Sequence, residues 1–328
     1  MSQHNSYHLA RTAAAIVDRR DRGWVVVSGA DRRSYLHGLL TNDITALQAG
    51  QGCYTAYLTP QGRMIADLWV YELGDVVLLS MARDIKPAVL TKLDQFIFSE
   101  DVQLGDVSET FSATAIVGPR AAAMMAEATG SSEELLTALP EHGNVRVDFQ
   151  GQPSIVLRTS DLGEQGFDVL VASEQFTALR ERLHAAGAVD ADADAAEALR
   201  IEAGVPKFHR DMDEDTIPLE AGIEANAISM TKGCYVGQEV IIRVLHRGHG
   251  RVARRLVGLT LDGTAPSSSG SLVKVDDREI GSVTSSVSSP ALGKPIALAY
   301  VHRDYVAPGT VVSVDGVAAV VTSTPFVS

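Results

Sequence analysis

Cysteine is almost missing from this 328-residue chain: Cys53 and Cys234 are the only two. Two thiols cannot build the disulfide framework of a small secreted protein, so a reducing cytoplasm is the expected location. Neither stands in a C-x-x-C pair, which argues against a self-contained zinc or iron–sulfur centre. His246 and His249 have no third ligand in view, and no metal site is expected. Apolar runs near the roughly 20 residues that a membrane-spanning helix requires are also absent. The N-terminal "ARTAAAIVDRRDRG" has too short an apolar part for a signal peptide, and charge follows at once. Positive charge is scarce: 28 Lys and Arg face 41 Asp and Glu, and the net −13 argues against a coat of nucleic acid or an anionic lipid surface. There is no glycine-rich dinucleotide fingerprint and no P-loop.

What is present suits two or three domains with sizeable cores. "GWVVVSGADRRSYLHGLLTND" predicts a strand, a turn and a helix with Asp31 as N-cap and Tyr35, Leu36, Leu39 and Leu40 on one apolar face. "CYTAYLTPQGRMIADLWVYELGDVVLLSMA" has three extended runs broken at 60–62 and 74–75, which predicts an antiparallel meander. A helix over "KPAVLTKLDQFIF" completes an α+β unit. A second α+β unit has a strand in "FSATAIVG", a helix in "PRAAAMMAEATG", strands in "PSIVLRTS" and "GFDVLVA", and a helix capped by Ser173. "DADADAAEALRIEAG" is expected to be an acidic helix entrance. Beyond residue 250, short strands punctuated by glycine, proline and serine predict a small β-barrel or sandwich. The expected fold class is α+β, with domains at 1–105, 106–250 and 251–328.

Four features carry candidate chemistry. In "MTKGCYVGQEV", Cys234 lies between Gly233 and Gly237 with Lys232 two positions away, and a nearby cation favours the reactive thiolate. A small buried hydrophobe beside a turn is the alternative. "RVLHRGHGRVARR" concentrates arginines, Arg243 and Arg247 among them, that suit a carboxylate or phosphate or else a solvated strand edge. Glu164 and Asp168 flank a glycine turn, where paired acids can accept from the amino edge of a heterocycle. Asp67 falls in an apolar strand, where a carboxylate needs a partner or a purpose unless alternation turns it to solvent.

Together these pieces resemble the folate-binding YgfZ family, relatives of the glycine-cleavage T-protein (aminomethyltransferase). The resemblance spans nearly the whole chain, and its most specific element is K-G-C-Y-x-G-Q-E, met here as Lys232, Gly233, Cys234, Tyr235, Gly237, Gln238 and Glu239. It implies a three-domain clover-leaf, two α+β domains and a C-terminal β-barrel around a central channel, with tetrahydrofolate or a derivative as cofactor. The first domain would be the folate-binding one, and the second would carry the motif. The implied folate-facing set is Asp67, Glu164, Asp168, Tyr235, Gln238, Glu239, Arg243 and Arg247; Cys234, Lys232 and Asp67 are the implied reactive set. The implied role is support of iron–sulfur cluster biogenesis or repair, with iron–sulfur client or assembly proteins as partners and no membrane or nucleic acid.

The chain departs from T-proteins in three places. Ala66-Asp67-Leu68 stands where T-proteins carry D-D-L, Ala196 stands where an arginine is usual, and the T-protein counterpart of the motif generally lacks the cysteine. A folate-dependent aminomethyl- or methyltransferase is therefore the enzyme alternative. An RNA-associated protein using the arginine cluster is the binding alternative.

Overall fold

The computed structural model describes residues 3–247 and 251–327. The chain opens with α1 (Gln3–Thr12) and β1 (Ala15–Asp18). A first unit then comprises β2 (Arg22–Ser28), α2 (Arg32–Leu39), β3 (Gly52–Leu58), β4 (Met64–Glu72), β5 (Val77–Ala82), α3 (Lys86–Asp94) and β6 (Gln103–Asp106). Its five strands form an antiparallel sheet in the order β3-β4-β5-β2-β6, with the expected meander at its heart. Successive strand residues point to opposite faces. Ala66, Leu68 and Val70 of β4 enter the core with Leu36, Leu39, Val89 and Leu93 of α2 and α3. Asp67, Trp69 and Tyr71 therefore aim at the opposite face.

The second unit comprises β7 (Phe111–Val117), α4 (Ala121–Thr129), α5 (Glu133–Thr137), β8 (Asn144–Phe149), β9 (Gln152–Thr159), β10 (Gly166–Ala172), α6 (Phe176–Ala185) and β11 (Val189–Asp190). Its sheet runs β11-β1-β7-β10-β9-β8, so β1 belongs here although it precedes the whole first unit. On β10, Phe167, Val169 and Val171 pack with residues of α4 and α6, while Leu170 meets Trp24, Tyr71 and Leu78 of the first sheet. The two sheets thus face each other, with helices on their outer sides.

Two expected caps are not formed. Asp31 has no capping bond; its Oδ2 instead accepts from the backbone N–H of Asp101. Ser173 opens a 3-10 turn before α6, and its hydroxyl donates to the Glu109 carbonyl. In both places the chain arrives from a turn that already has helical dihedrals, so no extended cap residue exists. The acidic entrance is formed as expected: Asp192 caps α7 (Ala193–Ala203) by accepting from the N–H of Ala195.

Beyond α7 the chain makes the short helices α8 (Pro218–Ala221), α9 (Glu224–Ala227) and α10 (Gln238–Ile242). A closed six-stranded barrel follows, β12 (Arg254–Leu261), β13 (Leu272–Val275), β14 (Arg278–Ser289), β15 (Lys294–His302), β16 (Val311–Val314) and β17 (Val317–Thr322). The cores cross the linear boundaries expected at 105 and 250. Phe208, Met212, Leu219, Ile223, Tyr235 and Ile241 all lie in the core of the first unit. The motif segment therefore packs on the first unit and not on the second, because its apolar side chains have their partners there. No described helix is long and apolar enough to cross a membrane.

Two buried ion clusters join the units. Glu202, with no exposed side-chain surface, accepts from Tyr7 Oη at 2.5 Å, from Arg11 Nη2 at 2.6 Å and from the hydroxyl of Ser289. Arg200 binds Asp211 at 2.7 Å and Ser285 of the barrel at 3.0 Å. Breaking a buried pair leaves a desolvated charge behind, at a cost of about 3–5 kcal/mol. Glu202→Ala is expected to destabilise the protein by about 3 kcal/mol, measured by urea denaturation, because Arg11, Tyr7 and Ser289 lose one shared acceptor. A loss below about 1 kcal/mol, typical of an exposed pair, would show that the joint is not made there.

Candidate functional site

The face between the two sheets is apolar at one end and charged at the other. Register explains the split: Trp24 and Trp69 both lie opposite Ser80, and Arg22 lies two residues before Trp24 on the same face. The Arg22 guanidinium stacks 4.0 Å from the centroid of Trp69 and donates to Ser80 Oγ at 2.9 and 3.1 Å. Tyr54 packs on Trp69 at 4.8 Å between centroids and donates its hydroxyl to Asp67 Oδ2 at 2.9 Å. From the opposing sheet comes Asp168, on the same face of β10 as Leu170. Arg19, in the turn between β1 and β2, donates through Nε to Asp168 and through Nη2 to Asp161, both at 2.7 Å.

Burial governs the charge states. It raises the Asp67 carboxyl above the usual carboxylate range, with Arg22 and the Tyr54 hydroxyl pulling the other way. Asp168 is also raised, first by burial and then by the neighbouring Asp161, against the pull of Arg19. Burial works against Asp161 too, but Arg19, helped by Arg22 and the Thr159 hydroxyl, outweighs it and holds that carboxylate below its ordinary range. Three acids on two arginines thus include two weak acids and one strong one.

Two adjoining cavities of about 750 and 540 Å³ share Trp69, Asp161, Val205 and Pro206 in their walls. The smaller one holds Arg19, Arg22 and Asp67; the larger holds Cys53, Tyr54, His142 and barrel residues including Leu256 and Leu298. Such volumes suit a small-molecule ligand. The donor set fits a reduced pterin: aromatic and guanidinium planes for the ring, and carboxylates for its amino and N–H edge. Among the described residues no cluster of His, Cys, Asp and Glu could hold a metal ion.

Of the residues expected at the site, Asp67 is placed in the smaller cavity and Asp168 behind it through Arg19. Glu164 is not. It pairs with Arg11 at 2.6 Å, in the joint around Glu202, because the turn before β10 swings it toward α1. The motif does not line either cavity. Lys232 is buried and donates Nζ to the carbonyls of His37, Leu40 and Asn42 at 2.5, 2.6 and 3.1 Å, closing the C-terminal end of α2. Burial pulls its ammonium down to about 8, and its charge acts on Asp43 and Cys53. Lys232 therefore serves helix α2 instead of poising Cys234, which is exposed. Side chains two apart on an extended stretch share a face, but here the turn sends one in and the other out.

Tyr235 is buried in the first unit's core, its ring 5.1 Å from the Lys232 ammonium, and Gln238 and Glu239 begin α10. Gly237 has φ +86°, and a Cβ there would meet the Thr59 carbonyl at 2.5 Å, so the motif glycine is needed for close approach to the β3–β4 turn. Arg243 is exposed in the turn of π-helix at Arg243–Arg247, away from both cavities, and the side chain of Arg247 lies outside the described residues. The residue facing the cavity from the cysteine pair is Cys53, whose thiol burial pushes up to about 12.

Sequence reasoning missed Arg19, Arg22, Tyr54, Trp69, Asp161 and His142. The alternation Asp67-x-Trp69-x-Tyr71 was a usable signal, since it puts an acid and two aromatics on one strand face.

Residues 2–232 match the GCVT N-terminal domain, and residues 254–328 match the glycine cleavage T-protein C-terminal barrel domain. Similar proteins include an aminomethyltransferase of Nostoc sp., 33% identical over 90% of this chain and 78% of that one. Another is an aminomethyltransferase of Bacillus subtilis, 29% identical over 98% of this chain and 89% of that one. A chloroplastic putative transferase of Arabidopsis thaliana is 30% identical over 95% and 71%. The crystal structure of the glycine cleavage system aminomethyltransferase T from Bartonella henselae superposes with a TM-score of 0.91 at 24% identity, covering 99% of this chain and 90% of that one. The chain belongs to the glycine-cleavage T-protein family, whose cofactor is tetrahydrofolate.

The position of Lys232 gives a direct test. Lys232→Met is expected to lower stability by about 2 kcal/mol, since three buried carbonyls lose their charged donor, while the rate at which an alkylating probe labels the exposed Cys234 in the folded protein stays as in wild type. Much slower labelling of Cys234, with stability unchanged, would return Lys232 to the thiol.

Proposed function

We propose that this chain binds tetrahydrofolate or a derivative between its two sheets and handles a one-carbon unit there, as a folate-dependent aminomethyl- or methyltransferase. The observation that carries the reading is Asp67: a buried carboxyl, held by the Tyr54 hydroxyl, raised by burial above the usual carboxylate range and facing a cavity with planar walls. Bound tetrahydrofolate would supply ring nitrogens able to carry a one-carbon unit. Burial makes the Asp67 carboxyl a weaker acid than an ordinary aspartate, and so a better base once ionised, which suits it to exchange a proton with a one-carbon unit. Trp69 and Arg22 orient a flat ring by stacking, and Asp161, set by Arg19 with Asp168 behind it, accepts from its N–H edge.

Of the two tryptophans, Trp24 is buried between the sheets and Trp69 lines both cavities, so intrinsic fluorescence reports on the site. Tetrahydrofolate is expected to quench wild-type fluorescence saturably, and Trp69→Phe should remove most of that response. Asp67→Asn should keep the fold and bind tetrahydrofolate within about tenfold, yet lose one-carbon transfer by the 100-fold or more usual for a lost acid–base group. No quenching by any reduced folate, or full transfer by Asp67→Asn, would reject the reading. The same variant tests the charge state. Because the folded carboxyl is the weaker acid, burying it ionised costs stability above its folded pKa. That cost fades as pH falls toward the ordinary Asp value of about 3.9. Asp67→Asn should therefore be more stable than wild type at neutral pH, with the gap closing in acid.

One observation favours a second reading, the YgfZ-like role with iron–sulfur client or assembly proteins in the cytoplasm. Cys234 is exposed on a segment anchored at both ends, by Lys232 and by Gly237, and Gly233 has open space around it. A thiol so placed is available to a partner protein. Cys234→Ser is expected to leave folding and tetrahydrofolate quenching intact and to abolish recovery of iron–sulfur enzyme activities in a deletion strain. Full recovery by Cys234→Ser would leave the transferase reading alone.

A further inference from the structure

The larger cavity holds a second titratable group that the preceding chemistry does not use. His142 lies in the loop between α5 and β8, with φ +58°, a left-handed conformation uncommon outside glycine. That loop is clamped onto the first sheet. Asn144 donates Nδ2 to the Gln51 carbonyl at 2.9 Å, its N–H donates to the Gly50 carbonyl at 2.9 Å, and a Cβ on Gly52 would meet the His142 carbonyl at 2.5 Å. His142 is thus held in place from the first sheet. Its Nδ1 is buried, has no hydrogen-bond partner, and lies 3.6 Å from Glu141 Oε1. The same oxygen accepts from Ser160 Oγ at 2.6 Å. Ser160, Glu141 and His142 all line the cavity, beside Cys53, Tyr54 and Asp161.

A carboxylate next to Nδ1 draws the imidazole proton to that nitrogen and leaves Nε2 as the acceptor. Nδ1 is buried, while the side chain as a whole keeps 21% of its surface exposed. We infer that His142 Nε2 is a proton acceptor for a primary amine carried by the ligand, with Glu141 as its positioning residue and Asp161 adding negative charge for the ammonium. The inference rests on the folate reading above and assigns a base at the wider end of the site. In the step, the proton leaves the ammonium nitrogen for Nε2, the amine keeps the electron pair, and the imidazolium keeps its Nδ1 proton with the Glu141 carboxylate 3.6 Å away to balance its charge. Burial lowers the imidazole below its ordinary range, against Glu141 and Asp161, so it starts neutral at pH 7. Among the described residues the other charged group on this cavity is Arg255, which is bound to Glu224, and the Cys53 thiol is held neutral by burial.

The test uses full-length protein with ¹⁵N-labelled histidine, and His142→Asn assigns the signal because Asn tolerates a positive φ. His142 is expected to be neutral at pH 7 with its proton on Nδ1. Methylammonium chloride, the amine probe, should shift its resonances saturably at pH 7, with or without tetrahydrofolate. Glu141→Gln should weaken that response about tenfold or more and move the His142 titration to lower pH. A purely structural Glu141 would change neither. A proton on Nε2, or no methylammonium response in wild type, overturns the inference even if tetrahydrofolate quenches Trp69. An intact amine response without any folate quenching would sink the folate reading and keep the amine site.

Discussion

Three carboxylates and two arginines meet between two sheets, and their mutual compensation is the constraint on which the site depends. Asp67, Asp161 and Asp168 are all buried or nearly so, and none would tolerate that position alone. Arg19 binds two of them directly, and Arg22 lies within electrostatic reach of all three while stacking on Trp69. The charges prevent the sheets from closing as a continuous apolar sandwich at this end. The opposite end, with Trp24, Tyr71, Leu78, Leu157 and Leu170, does close. A cavity follows from the balance: apolar contact holds the sheets together, and solvation of the charges holds them apart.

The barrel finishes the enclosure without contributing charge to the acid cluster. Leu256, Val257, Leu298 and Thr324 form one wall of the larger cavity. Gly204 lies so near Thr324 that a Cβ would meet its side chain at 2.4 Å, which brings Val205 and Pro206 between the two cavities. Glu202 and Arg200, two and four residues earlier on α7, tie the same helix to β14 and its end. Packing and ionic joints thus converge on a single helix, which sets the width of the site.

Much of the fold was legible because it is local. The meander, the α4 helix ending in Gly130 at φ 76°, and the capping of α7 by Asp192 all follow from neighbouring residues. Asp67 was legible for a physical reason as well, since an acid in an apolar strand demands compensation. What supplies that compensation was not, because Arg19 reaches Asp161 and Asp168 across nearly half the chain. Glu164 was misplaced because the partner that claims it, Arg11, sits on α1. Lys232 was misassigned because proximity in sequence says nothing about direction in a turn, and three carbonyls of α2 and its exit were the stronger attraction.

The position of β1 has a consequence for how the molecule is made. β1 pairs with β7 from Ala15↔Val117 to Asp18↔Thr114, so the first unit is inserted between two adjacent strands of the second sheet. During synthesis β1 emerges first and has no partner until the whole inserted unit has followed it. The entropy of closing so long a loop falls sharply once that unit is compact and brings its two ends together. Vectorial production on the ribosome therefore favours one order of events, in which the insert folds first and delivers β1 to β7. A variant that slows collapse of the insert would leave the β1 edge open to pairing with other chains.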